Sequence, residues 1–415
     1  MNVNRFLQGA SIDLAQAVRN VLRQKRRVAF ALAILVGGCI SLLLAGGFIQ
    51  WVLDIMREST IRSQLGHIQI VRTDYHKKGI ADPYKYLLPA DGSKEAEVLK
   101  HPSVRAIAPR LSLVGLISLG DSTLSFMGHG VDPVAEMEFS KYFFVDDGER
   151  LSVSDPTGIV IGQGLAESIG AKVGDKLVLT VTTAKGSLNA HDVHIRGIFY
   201  TSEKAYDDVA IQLPIELARK LIRVEGASSW LVVLDATERT DAVLNDLRPL
   251  FDPKSFELVP WYELADFYSK SVTLFLRQVL VVKILIGIII VLSISNTLAM
   301  AVIERTGEIG TMMAMGVRRH SVLRLFIFEG LMLGVIGSAI GILIGWLLSL
   351  AISAVGIPMP PPPGMKNGFT GQITVTLELA FDAFLLGTMA TLIASVLPAW
   401  KASRMNVVDA LRHQR

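Results

Sequence analysis

The run VAFALAILVGGCISLLLAGGFIQWVL, Val28–Leu53, carries no charged side chain and is longer than the roughly 20 residues a helix needs to cross a bilayer. Three more runs read the same way: Ile284–Ile303, Leu331–Val355 and Ala380–Leu397, the last with Asp382 near its start. No other apolar stretch of that length lies between Asp54 and Gln278. The expected fold is therefore an integral membrane α-helical protein with four transmembrane helices and a large α+β extracytoplasmic domain between helices one and two. The totals agree with this. The 415 residues are 51% hydrophobic and 19% charged, with mean hydropathy +0.44. That is too apolar for an ordinary soluble protein and too polar for one wholly in lipid. A net charge of +3 implies no nucleic-acid partner. The lone Cys39 excludes an internal disulfide.

Orientation follows from the flanking cations. Arg19, Arg23, Lys25, Arg26 and Arg27 precede the first span; Arg305, Arg318, Arg319 and Arg324 lie between the second and third; Lys401, Arg404, Arg412 and Arg415 follow the fourth. The loop Gly356–Leu379 has only Lys366. Both ends and the middle loop are thus expected in the cytoplasm, and Lys283 at the outer edge of the second span, where it can snorkel. The first span is too long for a signal-peptide core and is read as an uncleaved helix, although Val36-Gly37-Gly38-Cys39 faintly resembles a lipoprotein cleavage box.

Small residues stripe the later spans: Gly330, Gly334, Gly337, Gly341 and Gly345 in the third, and Ala383, Gly387, Ala390 and Ala394 in the fourth. Such stripes let helix backbones approach in lipid. Close packing within one subunit and a dimer seam both remain open. No filter loop, proton relay or inverted repeat is present, which disfavours a channel or secondary transporter.

Strand-like runs in the outer segment are His67–Val71, Leu111–Leu119, Gly158–Ile161, Lys176–Thr183, Asp192–Tyr200, Val209–Leu213, Trp230–Leu234 and Glu257–Pro260. Helix-like runs are Ser93–Lys100, Leu165–Gly170, Pro214–Ile222 and Thr240–Leu250. No catalytic constellation is legible. The histidines are scattered, and His191 and His194 fall on opposite faces of a strand, so no metal site is expected. No phosphate loop occurs; Gly170-Ala-Lys-Val-Gly174-Asp-Lys176 has the wrong spacing. From Tyr262 the pattern runs as one helix to Ile303, about 60 Å long, either a lever or a helix resting on the bilayer.

The stretch Glu304-Arg-Thr-Gly-Glu308-Ile-Gly310-Thr-Met-Met-Ala314-Met-Gly316-Val-Arg-Arg319 is a short mixed helix between spans. Ile309, Met312 and Met313 share a face, and flexible methionines suit a groove on a partner that changes shape. Glu304, Arg305 and Glu308 supply charge at its rim. Arg318 and Arg319 are suited to anionic headgroups.

This stretch, followed by Phe328-Glu329-Gly330, by Pro398-Ala-Trp-Lys-Ala402-Ser-Arg404 and by Val408-Asp-Ala-Leu411-Arg412, resembles the transmembrane subunit of the FtsX/MacB/lipoprotein-releasing class of ABC transporters, the mechanotransmission type. The likeness covers nearly the whole chain. Gly66-His67-Ile68, Gly130-Val-Asp132-Pro133, Gly158-Ile-Val-Ile-Gly162, Gly174-Asp175-Lys176 and Gly197-Ile-Phe-Tyr-Thr201 with Tyr206-Asp207 look like the lipoprotein-releasing branch. Met313 stands where many relatives have Arg, and Asn406 where Pro is common.

The resemblance implies a cytoplasmic amphipathic helix over 1–27 and spans at 28–53, 279–303, 321–355 and 380–397. It implies a periplasmic domain over 54–278, porter-like at 54–136 and 223–262, with an inserted β-rich subdomain at 137–222 and a stalk helix at 263–278. A coupling helix at 304–320, an outer loop at 356–379 and a cytoplasmic tail at 398–415 complete it. Docking of a separate ATPase would fall to Glu304, Arg305, Glu308, Ile309, Gly310, Met312 and Met313, and helix packing to Gly337, Gly341, Gly345 and Gly387. The chain itself would be non-catalytic and without cofactor, ATP and Mg being bound by the partner ATPase dimer. Further implied partners are a second permease copy or paralogue, membrane lipid, and a lipoprotein cargo or periplasmic adaptor. The implied site is the inner membrane. Lipoprotein release leads as function. Efflux of a periplasmic solute through an adaptor and outer-membrane duct, or a scaffold activating a cell-wall hydrolase, are the alternatives.

Overall fold

The structure, a computed structural model, describes residues 25–79, 82–90, 92–139, 144–201, 204–359 and 369–407. The expected helix over 1–27 falls almost wholly outside them, as does the motif Val408–Arg412. The chain divides into a membrane unit (Met1–Leu53, Val272–Met359, Thr370–Arg415) and an extracytoplasmic unit (Asp54–Ser271, Pro360–Phe369).

The four spans lie in helices Lys25–Thr60, Asp266–Glu304, Arg319–Val355 and Leu377–Ser403. Each is long and apolar enough to cross a membrane. All outrun the expected apolar windows, because hydropathy marks what lipid must cover and not where a helix ends. The fourth starts early, where the Thr376 hydroxyl accepts the Leu379 N–H at 3.2 Å, and continues through Pro398 to Ser403. The expected unbroken helix from Tyr262 is interrupted. Ala265 leaves helical geometry at φ −86°, ψ 60°, because Trp261 and Ala265 are buried in a cluster with Ile61. The second-span helix begins only at Asp266. Lys283 meets Asp382 across helices two and four, Nζ to Oδ2 at 2.6 Å.

The glycine stripe is consumed inside the chain. A Cβ at Gly330 would lie 2.6 Å from that of Ser395, and one at Gly334 2.2 Å from the Thr391 hydroxyl, both on the fourth span. Gly337, Gly341 and Gly345 face the first span instead, at Leu35, Cys39 with Val36, and Leu43 with Ile40. Gly387 of the fourth span abuts the Ser338 hydroxyl and Cys39 Sγ. Of the two readings of the stripe, packing within one subunit is the one these contacts occupy.

The extracytoplasmic unit is built on strands β1 (Ile68–Arg72), β2 (Val104–Leu119), β3 (Ser122–Val131), β4 (Phe144–Gly148), β5 (Gly158–Gly162), β6 (Lys176–Thr182), β7 (Leu188–Tyr200), β8 (Ala210–Pro214), β9 (Ser229–Leu234) and β10 (Phe256–Pro260). Their order is β10-β1-β9-β2-β3-β8-β5-β7-β4, with β6 pairing both β2 and β7. Pairs β3–β8 and β5–β7 are parallel. Helices α1 (Ser93–Val98), α2 (Gln163–Ile169), α3 (Ile215–Ile222) and α4 (Thr240–Leu247) cover the sheet.

Two large cores share that sheet. One joins Ile68, Ile70, Val98, Trp230, Val232 and Leu244. The other joins Leu111, Leu113, Ile117 and Phe126 with Leu165, Ile211 and Leu221. Leu111, Leu113 and Ile117 of β2 thus lie in the second core, and Val104 and Ile107 in the first. A single strand of 16 residues serves both cores, so no loop marks the boundary. Strands β3 and β4 were not expected from the sequence. In β3, Gly130 is needed for packing: a Cβ there would lie 2.4 Å from that of Ala218 on α3.

His67 is fully buried. The Leu234 N–H donates to its Nδ1 at 3.1 Å, so the proton sits on Nε2, which donates to the Thr237 hydroxyl at 3.1 Å. Thr237 in turn donates to Glu58 at 2.6 Å. Desolvation, then the Arg62 charge, pushes the imidazole down to about 4.

Two outcomes follow. Gly341→Val should destabilise the membrane unit by about 1–3 kcal/mol through overpacking, whereas Gly37→Ala, with nothing within 4 Å of its Cβ, should not. Thermal unfolding in detergent separates them, and an unmoved valine variant would mean slack at that contact. For His67, the unfolded chain takes up a proton near pH 6.5 and the fold only near 4. Stability should fall as pH drops through that window, by about 1 kcal/mol between about pH 7 and about pH 5.5. His67→Gln should flatten this dependence; an unchanged slope would mean that the folded imidazole is protonated.

Candidate coupling site

The second-span helix ends at Glu304, and a separate helix, Thr306–Ala314, follows after Arg305 at φ −98°, ψ 13°. The break is made by hydrogen bonding. The Thr306 hydroxyl donates to the Val302 and Ile303 carbonyls at 3.1 and 2.7 Å, occupying acceptors at the end of the long helix. The short helix stops at Gly316, whose φ of +96° suits a residue without Cβ. The Gly316 and Val317 N–H groups return to the Met313 and Met312 carbonyls. One span separates this helix from the extracytoplasmic unit, so it lies on the cytoplasmic side.

The short helix is anchored, not free. Ile309 is buried with Val302, Val322, Phe326, Ala399 and Ala402, and Met313 packs against this cluster. Gly310 is buried too. Ile309 and Met313, expected to meet a partner, therefore pack against the third and fourth spans of their own chain. The periodic pattern was read correctly as one apolar face, but periodicity does not say what covers it. The outward side carries Glu304, Glu308, Thr311 and Met315, with Met312 half-buried beside them. Met315, 74% exposed, was not among the expected docking residues, although its place at Gly316 could have drawn attention.

Arg305 is the pin. Its Nη1 donates to Glu329 Oε1 of the third span at 2.9 Å, and its Nε approaches Glu308 Oε2 at 3.4 Å. The guanidinium also lies 5.9 Å from the centre of the Phe326 ring. The Glu329 side chain is only 6% exposed, so this is a buried charge pair. Arg305 was expected at the rim of a docking face. Its partner stands 24 residues later, beyond any local spacing rule. The four packing residues Gly337, Gly341, Gly345 and Gly387 lie deeper in the bundle. The short helix contacts the third span through Arg305–Glu329 and the fourth through Ala399 and Ala402.

Two family models match the chain: the MacB-like periplasmic core domain over residues 28–250, more than half of it, and the FtsX-like permease C-terminal domain over residues 280–407. The ABC transporter permease MJ1507 of Methanocaldococcus jannaschii is 26% identical over 279 residues, 65% of each chain. The Lipoprotein-releasing system transmembrane protein LolE of Haemophilus influenzae is 24% identical over 266 residues, 62% of this chain and 64% of its own. The Macrolide export ATP-binding/permease protein MacB of Syntrophobacter fumaroxidans is 28% identical over 210 residues, 46% and 26% of the two. The chain thus spans less than two thirds of the length of each. Among solved structures, the periplasmic region of MacB from Actinobacillus actinomycetemcomitans aligns over 95% of its length and 50% of this chain, at 12% identity and TM-score 0.37.

Arg305→Ala should take the Arg305 charge away from the buried Glu329 carboxylate, at a cost of about 3–5 kcal/mol. Arg305→Ala with Glu329→Gln should recover a good part of that. Equal unfolding midpoints for the single and double variants in detergent would mean that the pair carries no coupling.

Proposed function

Because this chain belongs to the MacB/FtsX family of ABC transporter permeases, which work with an ATPase, we propose that it is an inner-membrane, non-catalytic subunit docked by an ATPase on a separate chain. The observation that carries the reading is the short helix Thr306–Ala314: exposed on one side, fixed on the other to spans three and four. The ATPase grips Glu304, Glu308, Thr311, Met312 and Met315. When ATP draws the ATPase dimer closed, the helix is displaced, and the Arg305–Glu329 pair and the Ile309 cluster pass that displacement to the spans. ATP and Mg stay on the ATPase, and two permease subunits, identical or paralogous, complete the assembly.

For cargo we favour a lipoprotein or a similar lipid-like molecule handled on the extracytoplasmic side. The support is the alignment with LolE, which takes in more of both chains than that with MacB. Efflux of a solute from the periplasm toward an adaptor is the second reading, favoured by the MacB-like core model over residues 28–250.

Met312→Asp with Met315→Asp should abolish co-purification of the ATPase. Each carboxylate entering an apolar groove unpaired costs several kcal/mol, against the roughly 8 kcal/mol of a micromolar contact. Arg318→Ala with Arg319→Ala should leave recovery intact. Equal recovery with the aspartate variant would remove the short helix as the docking element. Mass spectrometry of the wild-type complex should find acylated protein bound; a bound small solute without acylated protein would transfer the assignment to efflux.

A further inference from the structure

The extracytoplasmic unit contains a cleft of about 510 Å³ lined in part by strands β1, β9, β2 and β3. That volume is within the roughly 300–1,000 Å³ of small-molecule sites. Its walls carry rings: Tyr75, His76, Tyr84, His129 and Tyr206. The His129 and Tyr206 rings are stacked at 6.3 Å and 22°, and His76 meets Tyr75 edge-on at 5.2 Å. The apolar lining includes Leu231 on β9, Leu113 and Val114 on β2 and Met127 on β3. Val114 and Met127 sit opposite each other across the strands. They are nevertheless 62% and 46% exposed, an apolar pair left in water at the wall of a concave site.

Polar groups complete it. His76 Nε2 is buried without a hydrogen-bond partner among the described residues, a group that a ligand could satisfy. Among the described residues, Arg110 is the only Lys or Arg in the lining, and its charge is already matched: Nη2 donates to Glu136 at 2.7 Å and Nη1 to the Gln64 carbonyl at 2.7 Å. Desolvation, then Arg110, pushes the His129 imidazole down to about 3, and desolvation lowers that of His76. A charged ligand would be desolvated here with no counter-ion.

We infer that this cleft is a binding site for a neutral, planar aromatic amphiphile, its ring lying among the tyrosines and imidazoles and a hydrogen-bonding group reaching His76. The inference does not depend on which cargo the transporter moves; binding here can succeed or fail under either cargo reading.

The test uses the full chain in lipid nanodiscs and an uncharged alkynyl benzophenone as photoprobe. After irradiation and digestion, peptides bearing Tyr84, Val114 or Met127 should be labelled saturably, and excess uncharged benzophenone should compete. Val114→Arg and, separately, Tyr84→Ala should each reduce that labelling about tenfold, equivalent to 1.4 kcal/mol. Benzophenone-4-carboxylate should compete poorly. Labelling confined to the membrane helices would overturn the site, as would labelling of the cleft peptides unchanged in both variants. Equal competition by the carboxylate would overturn the neutral ligand class.

Discussion

The close approach of the third span to the first and fourth is the constraint on which the membrane unit depends. Lipid gives apolar helices no hydrophobic reason to associate, so contact area and backbone proximity must supply the attraction. Glycines at 330, 334, 337, 341 and 345 divide that work, the first two turned toward the fourth span and the rest toward the first. With the third span fixed from two sides, Glu329 is held at one height and one rotation. Only then can Arg305 find it and pin the short cytoplasmic helix to the bundle. The second span is held less tightly: Gly38 of the first meets its Ile286 and Ile290, while Leu285, Ile288, Ile289 and Leu292 point away from the chain.

Much of this architecture was legible in the sequence, for reasons that can be named. A bilayer imposes a length, so four apolar windows found the four span helices. Strands betrayed themselves where branched residues alternate or run together, as in Ser229–Leu234. What escaped is what depends on distant partners. The need for Gly130 is not visible until Ala218 is placed against it. Ile309 and Met313 read as a docking face until Phe326 and Ala402 are found to cover them. The change of core within β2 falls inside an unbroken strand, where Pro109 is paired with Trp230 and marks no turn. The helix break at Ala265 likewise has no local signal; it arises because Trp261 is anchored against Ile61.

Under the proposed docking, the division of the short helix has a mechanistic meaning. A docking element that was apolar all round would bind an ATPase but transmit little. One buried all round would transmit but bind nothing. Here the inward residues Ile309, Gly310 and Met313 and the outward residues Glu304, Glu308 and Met315 alternate along a few turns. In the proposed docking, the exposed face is left to the ATPase while the buried face is constrained by the bundle.

The one thiol of the chain occupies a seam. Cys39 is 2% exposed, with its Cβ against Gly341 and its Sγ against Gly387. A maleimide or methanethiosulfonate reagent in water has no route to it while the helices stay packed. The natural protein is thus already a nearly silent background for spectroscopic reporters. Spin labels or fluorophores on engineered surface cysteines could be read without first removing Cys39, a removal that would itself disturb the place where three helices meet.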